Sequence, residues 1–324
     1  MIGRVLITAK SVMSSAGALN IMREAGCDLV ILNSPIPFEE EWVIEQMEKY
    51  NPDAIIFTME PTSRAVLEAA PNLKIVGRPA VGYDTVDINA CNQRKIPVAT
   101  SPVNDASVAD FAFGLLLDVA RRIGFVANSV QQGGWEKPVG TEVWNKTIAI
   151  IGLGRIGKGV ARRARGFDMR VLAVDDYQDQ EFAETNGLNY VDLDTALAEA
   201  DFISLHAPLL DDTRDMINAA SIAKMKPGAY IINTARAGLI DEEALAEAVK
   251  SGHLGGAAVD VIKQPGAGTS SPLVNVPNIL VTTHIATYSK EAIERVAQRV
   301  AENVVATLQG SRPQGVVNPE IYEN

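Results

Sequence analysis

The sequence predicts an α/β protein built from two doubly wound parallel-sheet domains. Short apolar runs alternate with helix-like stretches along most of the chain, the pattern of successive β-α-β units. The 324 residues suit two domains, each of about 100–200 residues. An apolar share of 47% and a charged share of 21% supply two cores within an ordinary globular composition.

The elements follow in order. Residues 5–8, 28–32, 54–57, 74–77 and 97–99 are apolar runs of strand length, and residues 14–24, 39–48, 63–69 and 86–92 between them carry helical patterns. A first α/β domain therefore spans residues 1–101. Pro102 and Asn104-Asp105 then introduce a long helix over 106–122, with Val108, Phe111, Ala112, Leu115, Leu116 and Val119 at helical spacing. More helix is expected to residue 131, stopped by Gly133-Gly134. A second alternation places strands at 147–151, 170–174, 202–205, 229–233, 257–259 and 280–282. A last helix over 290–308 stops at Gly310, with Pro313 beyond it.

The net charge of −11 argues against a nucleic-acid partner, because phosphate contacts need a basic face. A small anionic substrate needs only a local cationic pocket. The two cysteines, Cys27 and Cys91, form no CxxC pattern, so neither a zinc site nor a disulfide framework is expected, and no metal is called for. Such cysteine usage fits reduced thiols in the cytoplasm. The apolar N-terminal run is short and ends in Thr8-Ala9-Lys10, unlike a signal peptide. No apolar stretch approaches the ~18 residues of a membrane span.

Thr147-Ile148-Ala149-Ile150-Ile151 is a β-branched run leading directly into Gly152-Leu153-Gly154-Arg155-Ile156-Gly157 and then a helix-like segment. This is a dinucleotide cradle of Rossmann type. One glycine makes the tight turn, the next lets backbone approach the pyrophosphate, and the third lets helix and strand pack closely. The helix N-terminus offers free N–H groups to the phosphates. Asp175 ends the next strand, where a carboxylate accepts hydrogen bonds from the adenosine ribose. It also repels a 2′-phosphate, and Asp176 adds a second negative charge. NAD is therefore expected over NADP.

Hydride exchange at a carbon bearing oxygen needs an acid/base near neutral pH and a cation for the substrate carboxylate. Histidine suits the first task, and the chain has His206, His253 and His284. His253 is read as a helix-end residue. His206 and His284 both follow expected strands, at the ends where open α/β sheets bind ligands. Spacing alone does not choose between them.

Further motifs carry a resemblance. Ala80-Val81-Gly82-Tyr83-Asp84-Thr85-Val86-Asp87, Ser107-Val108-Ala109-Asp110, Leu205-His206-Ala207-Pro208-Leu209, Asn233-Thr234-Ala235-Arg236-Ala237-Gly238, Val259-Asp260-Val261 and Thr283-His284-Ile285-Ala286 occur in this order. From Asp53 to Glu320 the chain resembles the D-isomer-specific 2-hydroxyacid dehydrogenases, including those acting on D-3-phosphoglycerate. The resemblance implies that Arg236 binds the substrate carboxylate and that His284 is the acid/base. It implies that Val81 and Gly82 offer backbone N–H groups to the carboxylate, with Arg78 nearby. Asp260 would orient the nicotinamide amide. Thr213, Thr234 and Ala235 would line the cofactor site, with His206 and Pro208 near the cofactor. It also implies a flavodoxin-like substrate domain made of residues 1–101 and 290–324, a Rossmann cofactor domain over 102–289, and a homodimer formed through residues 106–135.

The match departs from the family at one telling place. A glutamate that pairs with the catalytic histidine is expected after the Asp260 segment, but the chain reads Asp260-Val261-Ile262-Lys263-Gln264-Pro265, with Gln264 nearest that place. A neutral partner removes the attraction that favours imidazolium. His284 is then expected to titrate lower than in its relatives, so ketoacid reduction loses activity at a lower pH. Ala80 and Asp110 stand for the family's glycine and glutamate. No arginine follows the third strand to clamp a phosphate. The expected function is NAD-dependent reduction of a small 2-keto acid such as glyoxylate, hydroxypyruvate or the keto form of D-3-phosphoglycerate, or the reverse. The Gln264-Pro265 pair also resembles formate dehydrogenases of the same superfamily, so oxidation of a small anion is a second reading. A third is an NAD(H)-sensing binding protein of this fold, like the C-terminal-binding-protein corepressors.

Overall fold

Parallel strands must be covered on both faces, and that requirement shapes the whole chain. The computed structural model describes residues 1–35 and 38–323. Ile36, Pro37 and Asn324, the last residue of the expected 290–324 segment, lie outside the described residues. In chain order the elements are β1 (Gly3–Ile7), α1 (Lys10–Met13), α2 (Ala16–Glu24), β2 (Cys27–Ile31), α3 (Glu40–Tyr50), β3 (Ala54–Ile56), α4 (Arg64–Glu68), β4 (Ile75–Arg78), α5 (Ile88–Gln93) and β5 (Val98–Thr100). Then come α6 (Asp105–Arg121), α7 (Ile123–Gln131), β6 (Thr147–Ile151), α8 (Arg155–Arg165), β7 (Arg170–Val174), α9 (Gln180–Asn186), β8 (Asn189–Tyr190) and α10 (Leu193–Glu199). The last are β9 (Phe202–Leu205), α11 (Ala219–Ile222), β10 (Tyr230–Asn233), α12 (Glu242–Lys250), β11 (Gly256–Val259), β12 (Ile279–Val281) and α13 (Lys290–Leu308). The chain divides into two units, Met1–Asn104 with Tyr288–Asn324, and Asp105–Thr287.

The first unit holds a parallel sheet of order β2-β1-β3-β4-β5. The chain runs from β1 out to β2 and returns to β3 on the other side, which leaves a switch point at the carboxyl ends of β1 and β3. Alternate side chains of β1 serve opposite cores: Val5 and Ile7 pack with α2 and α13, and Leu6 with α3, α4 and α5. Gly77 of β4 lets α13 approach, since a Cβ there would stand 2.8 Å from Val300 Cγ2. Ser289 caps α13 by accepting the Ala292 N–H, and Gly310 turns the chain beyond it at φ 82°. The tail then covers the β5 edge. Thr100 N–H donates to Gly315 O at 2.9 Å and Val317 N–H to Val98 O at 3.0 Å. Fully buried Asn318 accepts from Val98 N–H at 2.9 Å and donates to Ile96 O at 3.0 Å.

The second unit holds a parallel sheet of order β12-β11-β10-β9-β6-β7-β8, with its switch point between β6 and β9. Ala149 and Ile151 of β6 face one core, and Ile148 and Ile150 the other. The helix expected through residue 131 is broken. Arg122 adopts a left-handed φ of 57°, and Asp118 Oδ1 accepts the Gly124 N–H at 2.6 Å to start α7 in a new direction. The helix expected over 14–24 is α2, with Ser15 capping it by accepting the Ala18 N–H, and the short α1 before it was not expected. Among the described residues no helix is long and apolar enough to cross a membrane.

Candidate active site

The second unit's sheet delivers the candidate residues in a row along its carboxyl edge. The cradle follows β6, Asp175 follows β7, His206 follows β9, Arg236 follows β10, Asp260 follows β11 and His284 follows β12. In the spatial order of the strands the cradle and Asp175 lie toward one end, and Arg236, Asp260 and His284 toward the other.

Two of the cradle's three glycines, Gly152 and Gly157, are required by geometry. Gly152 has φ 93°, and a Cβ on it would stand 2.6 Å from Ala207 N. A Cβ on Gly157, in the first turn of α8, would stand 2.1 Å from Gly152 O. A Cβ on Gly154 would meet nothing within 4 Å, and no side chain caps the α8 N-terminus that Gly154 precedes. Open space over unsatisfied helix N–H groups is what a pyrophosphate fills. Arg155 and Ile156 are the first two residues of this helix. Asp175 holds the cradle in place: its Oδ2 accepts the Leu153 N–H at 2.6 Å and its Oδ1 the Tyr177 N–H at 2.9 Å. The carboxylate thus stays fixed at the end of β7, and Asp176 beside it is exposed.

At the end of β9, His206 is half-buried, and its Nε2 lies 2.8 Å from Ser204 Oγ. Burial pushes its pKa down to about 4, so the ring is neutral at pH 7. Pro208 and Thr213 meet in the next turn: the Thr213 hydroxyl donates to Pro208 O at 2.7 Å and accepts the Leu210 N–H at 2.7 Å. Buried Asn233 shapes the turn after β10, accepting the Ala235 N–H and donating to Arg236 O, both at 2.9 Å. The Arg236 guanidinium donates to Ala235 O at 2.8 Å. Thr234 Oγ1 is buried without a hydrogen-bond partner, a hydroxyl suited to a polar ligand. With the open cradle and the fixed Asp175, it makes these residues fit a dinucleotide.

His284 stands on a strained turn. Its φ is 60°, a conformation that non-glycine residues rarely adopt. Asp260, 1% exposed, supports that turn. Its Oδ1 accepts the Thr282 hydroxyl at 2.6 Å and the Ile285 N–H at 3.0 Å, and its Oδ2 accepts the Ala286 N–H at 2.9 Å. The hydrogen bonds of the Gln264 side chain among the described residues stay in its own loop, where its Oε1 accepts the Ser270 hydroxyl at 2.6 Å. That loop is clamped by a residue the sequence reading passed over. Buried Glu242, the first residue of α12, accepts the Lys263 N–H at 2.6 Å and the Ser271 hydroxyl at 2.8 Å. Only its burial distinguishes it from an ordinary first-turn glutamate, and burial is a property of the folded chain.

In the first unit, Arg78 ends β4 and is 2% exposed, with Val81 exposed and Gly82 half-buried in the loop beyond. Burial pulls the Arg78 pKa down to about 10, against the opposing pull of Glu60 and Asp84.

A glycine cradle, an acid at the ribose end and a histidine and arginine at the far end of one sheet define an NAD-binding oxidoreductase. Comparison with known proteins agrees. Residues 113–286 match the model of the D-isomer specific 2-hydroxyacid dehydrogenase NAD binding domain. A glyoxylate reductase of Korarchaeum cryptofilum is 37% identical over 304 residues, covering 91% of each chain. A D-3-phosphoglycerate dehydrogenase of Archaeoglobus fulgidus is 38% identical over 94% of this chain, which spans only 58% of that longer protein. The crystal structure of a glyoxylate reductase from Paecilomyes thermophila superposes with a TM-score of 0.86 at 26% identity, covering 98% of each chain. The chain belongs to the D-isomer specific 2-hydroxyacid dehydrogenase family. It is an NAD-dependent dehydrogenase acting on the CH–OH group of 2-hydroxy acids.

The neutral His206 has a measurable consequence. Its folded-state pKa lies below the ordinary value of 6.5, so the unfolded chain takes the proton first. The stability it contributes is complete above about pH 6.5 and is lost as the pH falls toward 4. Between pH 7.5 and 5, urea unfolding should show the wild type losing about 2 kcal/mol more than a His206→Gln variant. Equal losses would contradict a His206 held neutral by its surroundings.

Proposed function

We propose that this chain reduces small 2-keto acids such as hydroxypyruvate and glyoxylate to D-2-hydroxy acids with NADH, with Arg236 and His284 carrying the substrate chemistry. The observation that carries this is the row along the second sheet's edge. From β6 to β12 it covers four strand steps, roughly 19 Å at ~4.8 Å each, long enough for an extended dinucleotide to lie from cradle to histidine. The second unit is the cofactor domain in this reading.

Bound NADH supplies the hydride for C2. The protein's own residues do the rest. The Arg236 guanidinium grips the substrate carboxylate through paired N–H donors. His284, as imidazolium, donates its proton to the C2 oxygen, and in the reverse direction the neutral ring takes it back. Asp260 keeps the His284 turn in shape, and an unused lone pair on its Oδ2 is left for the nicotinamide amide. Ala235, Thr234, Thr213, Pro208 and the neutral His206 line the cofactor's path. Gln264 stands nearest the place where a glutamate would pair with His284, and Gln264→Glu puts a carboxylate there.

A second copy of the chain is the partner we assign to α7. None of its residues is buried, and Phe125 on it and Trp135 beyond it are 50% and 78% exposed. Apolar side chains gathered on one exposed helix and its loop are the material of a homodimer interface. Two free cysteines, Cys27 and Cys91, suit a reducing cytoplasm.

Following NADH absorbance with glyoxylate, hydroxypyruvate and phosphohydroxypyruvate tests the activity, alongside NAD with formate. Turnover of a 2-keto acid is expected, abolished in His284→Gln. In Gln264→Glu the pH at which reduction is half lost should move up, because reduction needs the imidazolium. NADH binding with no 2-keto acid turned over would favour a sensing role, and formate oxidation alone would favour the second reading. Sedimentation velocity at micromolar concentration should give twice the chain mass, and a monomer would contradict the α7 interface.

A further inference from the structure

The Ser107-Val108-Ala109-Asp110 motif has no part in the chemistry assigned above. It lies in the first two turns of α6, and two of its side chains leave the helix for functional elements of the same unit. Ser107 is buried, and its hydroxyl donates to Ala286 O at 3.1 Å, 179 residues along the chain. A serine near a helix N-terminus ordinarily turns its hydroxyl to backbone in its own turn. Here it reaches the turn that carries His284.

The chemistry of that turn explains why it needs a hydroxyl. The Asp260 carboxylate holds it from the β11 side, and an ionised carboxylate only accepts hydrogen bonds. It takes the Ile285 and Ala286 N–H groups and the Thr282 hydroxyl, and it can do nothing for a carbonyl. Ala286 is 5% exposed, so its C=O needs a donor from within the fold. Ser107 is that donor. Ala286 is thereby held at both backbone polar groups, its N–H by Asp260 at 2.9 Å and its C=O by Ser107 at 3.1 Å. His284, two residues earlier, sits at φ 60° and depends on such support.

The helix that carries Ser107 is itself seated on the cofactor side of the unit. The helix α8 starts at the glycine cradle and packs closely on α6: a Cβ on its Gly159 would stand 2.8 Å from Ala109 Cβ. Arg163 of α8 donates its Nε to Asp110 Oδ1 at 2.8 Å and its Nη2 to Ala106 O at 3.2 Å. One short stretch of α6 thus connects the cradle helix to the His284 turn. The end of the site that takes the pyrophosphate and the end that handles the proton are referenced to the same segment.

We propose, on the reading of His284 as the acid/base, that Ser107 is a positioning residue for the reaction: its hydroxyl fixes the carbonyl side of the His284 turn and so sets where the histidine stands relative to the bound cofactor. In this role it acts through Ala286 alone. Its loss leaves the cradle and the Arg236 turn in place and displaces only the proton donor, the kind of small misplacement to which rate is sensitive.

The test is the single-turnover rate of 2-keto acid reduction in Ser107→Ala. Alanine is the better helix former, so the variant should fold. The rate should fall about tenfold, with the Kd for NADH and the KM for the keto acid changed no more than about twofold. Ser107→Thr, which keeps the hydroxyl, should restore most of the rate, and the isosteric Ser107→Val should not. That pair decides the matter if the alanine variant is unstable. In the double variant with Asp260→Asn the combined loss should be clearly smaller than the product of the two single losses, because both side chains hold Ala286. A wild-type rate in folded Ser107→Ala, equal rates in the threonine and valine variants, or losses that simply multiply would overturn the proposal. A His284→Gln enzyme that still reduces 2-keto acids sinks the acid/base reading and Ser107's role together. An inactive His284→Gln beside a fully active Ser107→Ala sinks Ser107's role alone.

Discussion

The carboxylate of Asp260 is the interaction on which the rest of the site depends. Val259 and Val281 are paired on adjacent parallel strands, so Asp260 and Thr282 leave the sheet side by side. Chain leaving a three-residue strand such as β12 has little to direct it. Here it meets a buried carboxylate that collects the Thr282 hydroxyl and the N–H groups of Ile285 and Ala286. Charge-assisted bonds of this kind are about twice as strong as neutral ones. Together they over-determine a turn that includes His284 at positive φ, a conformation costing of order 1–3 kcal/mol if left unsupported. The histidine's place is therefore set by the chain on either side of it, independently of any partner its ring has.

The same device recurs along the sheet. Asp175 ties the glycine cradle to the end of β7, Asn233 ties the Arg236 turn to the end of β10, and Glu242 ties both ends of the Gln264 loop to the start of α12. In each case a polar side chain near the end of an element holds a loop at the sheet's carboxyl edge through hydrogen bonds. Strands buried on both faces cannot carry such groups in their interior without cost, so the polar residues collect at the carboxyl ends, where the ligand crevices of doubly wound sheets form. Fold and site share this cause. The rigid part is the apolar sheet, and chemistry is confined to loops whose backbone these side chains hold.

Much of this was legible in the sequence because it follows from local rules. The cradle reads directly: three glycines, a β-branched strand before them, a helix after them and an acid at the next strand end each answer a geometric need, and Gly152 and Gly157 stand where a side chain would collide with backbone. Alternating patterns gave the two α/β units. What escaped depends on the folded chain. The break at Arg122 rests on a left-handed arginine and on Asp118 reaching Gly124, which no propensity for arginine announces. The two-residue strand β8 is too short to show a period. The family resemblance offered Asp260 as a partner of the nicotinamide, yet the bonds it makes here shape the His284 turn. Glu242 reads as an ordinary acid until burial sets it apart.

The account rests on Asp260 acting through position, and one measurement tests this most directly: pre-steady-state and steady-state reduction of a 2-keto acid by an Asp260→Asn variant, with NADH affinity measured by fluorescence on the same preparation. Asparagine keeps one acceptor oxygen but sets an amide N–H against the Ala286 N–H. The turn should relax, and displacement of the acid/base on the scale of an ångström costs about a hundredfold in rate. The predicted result is kcat lower by about that factor with NADH affinity changed only a few-fold. Wild-type kcat in a folded variant that binds NADH would contradict it.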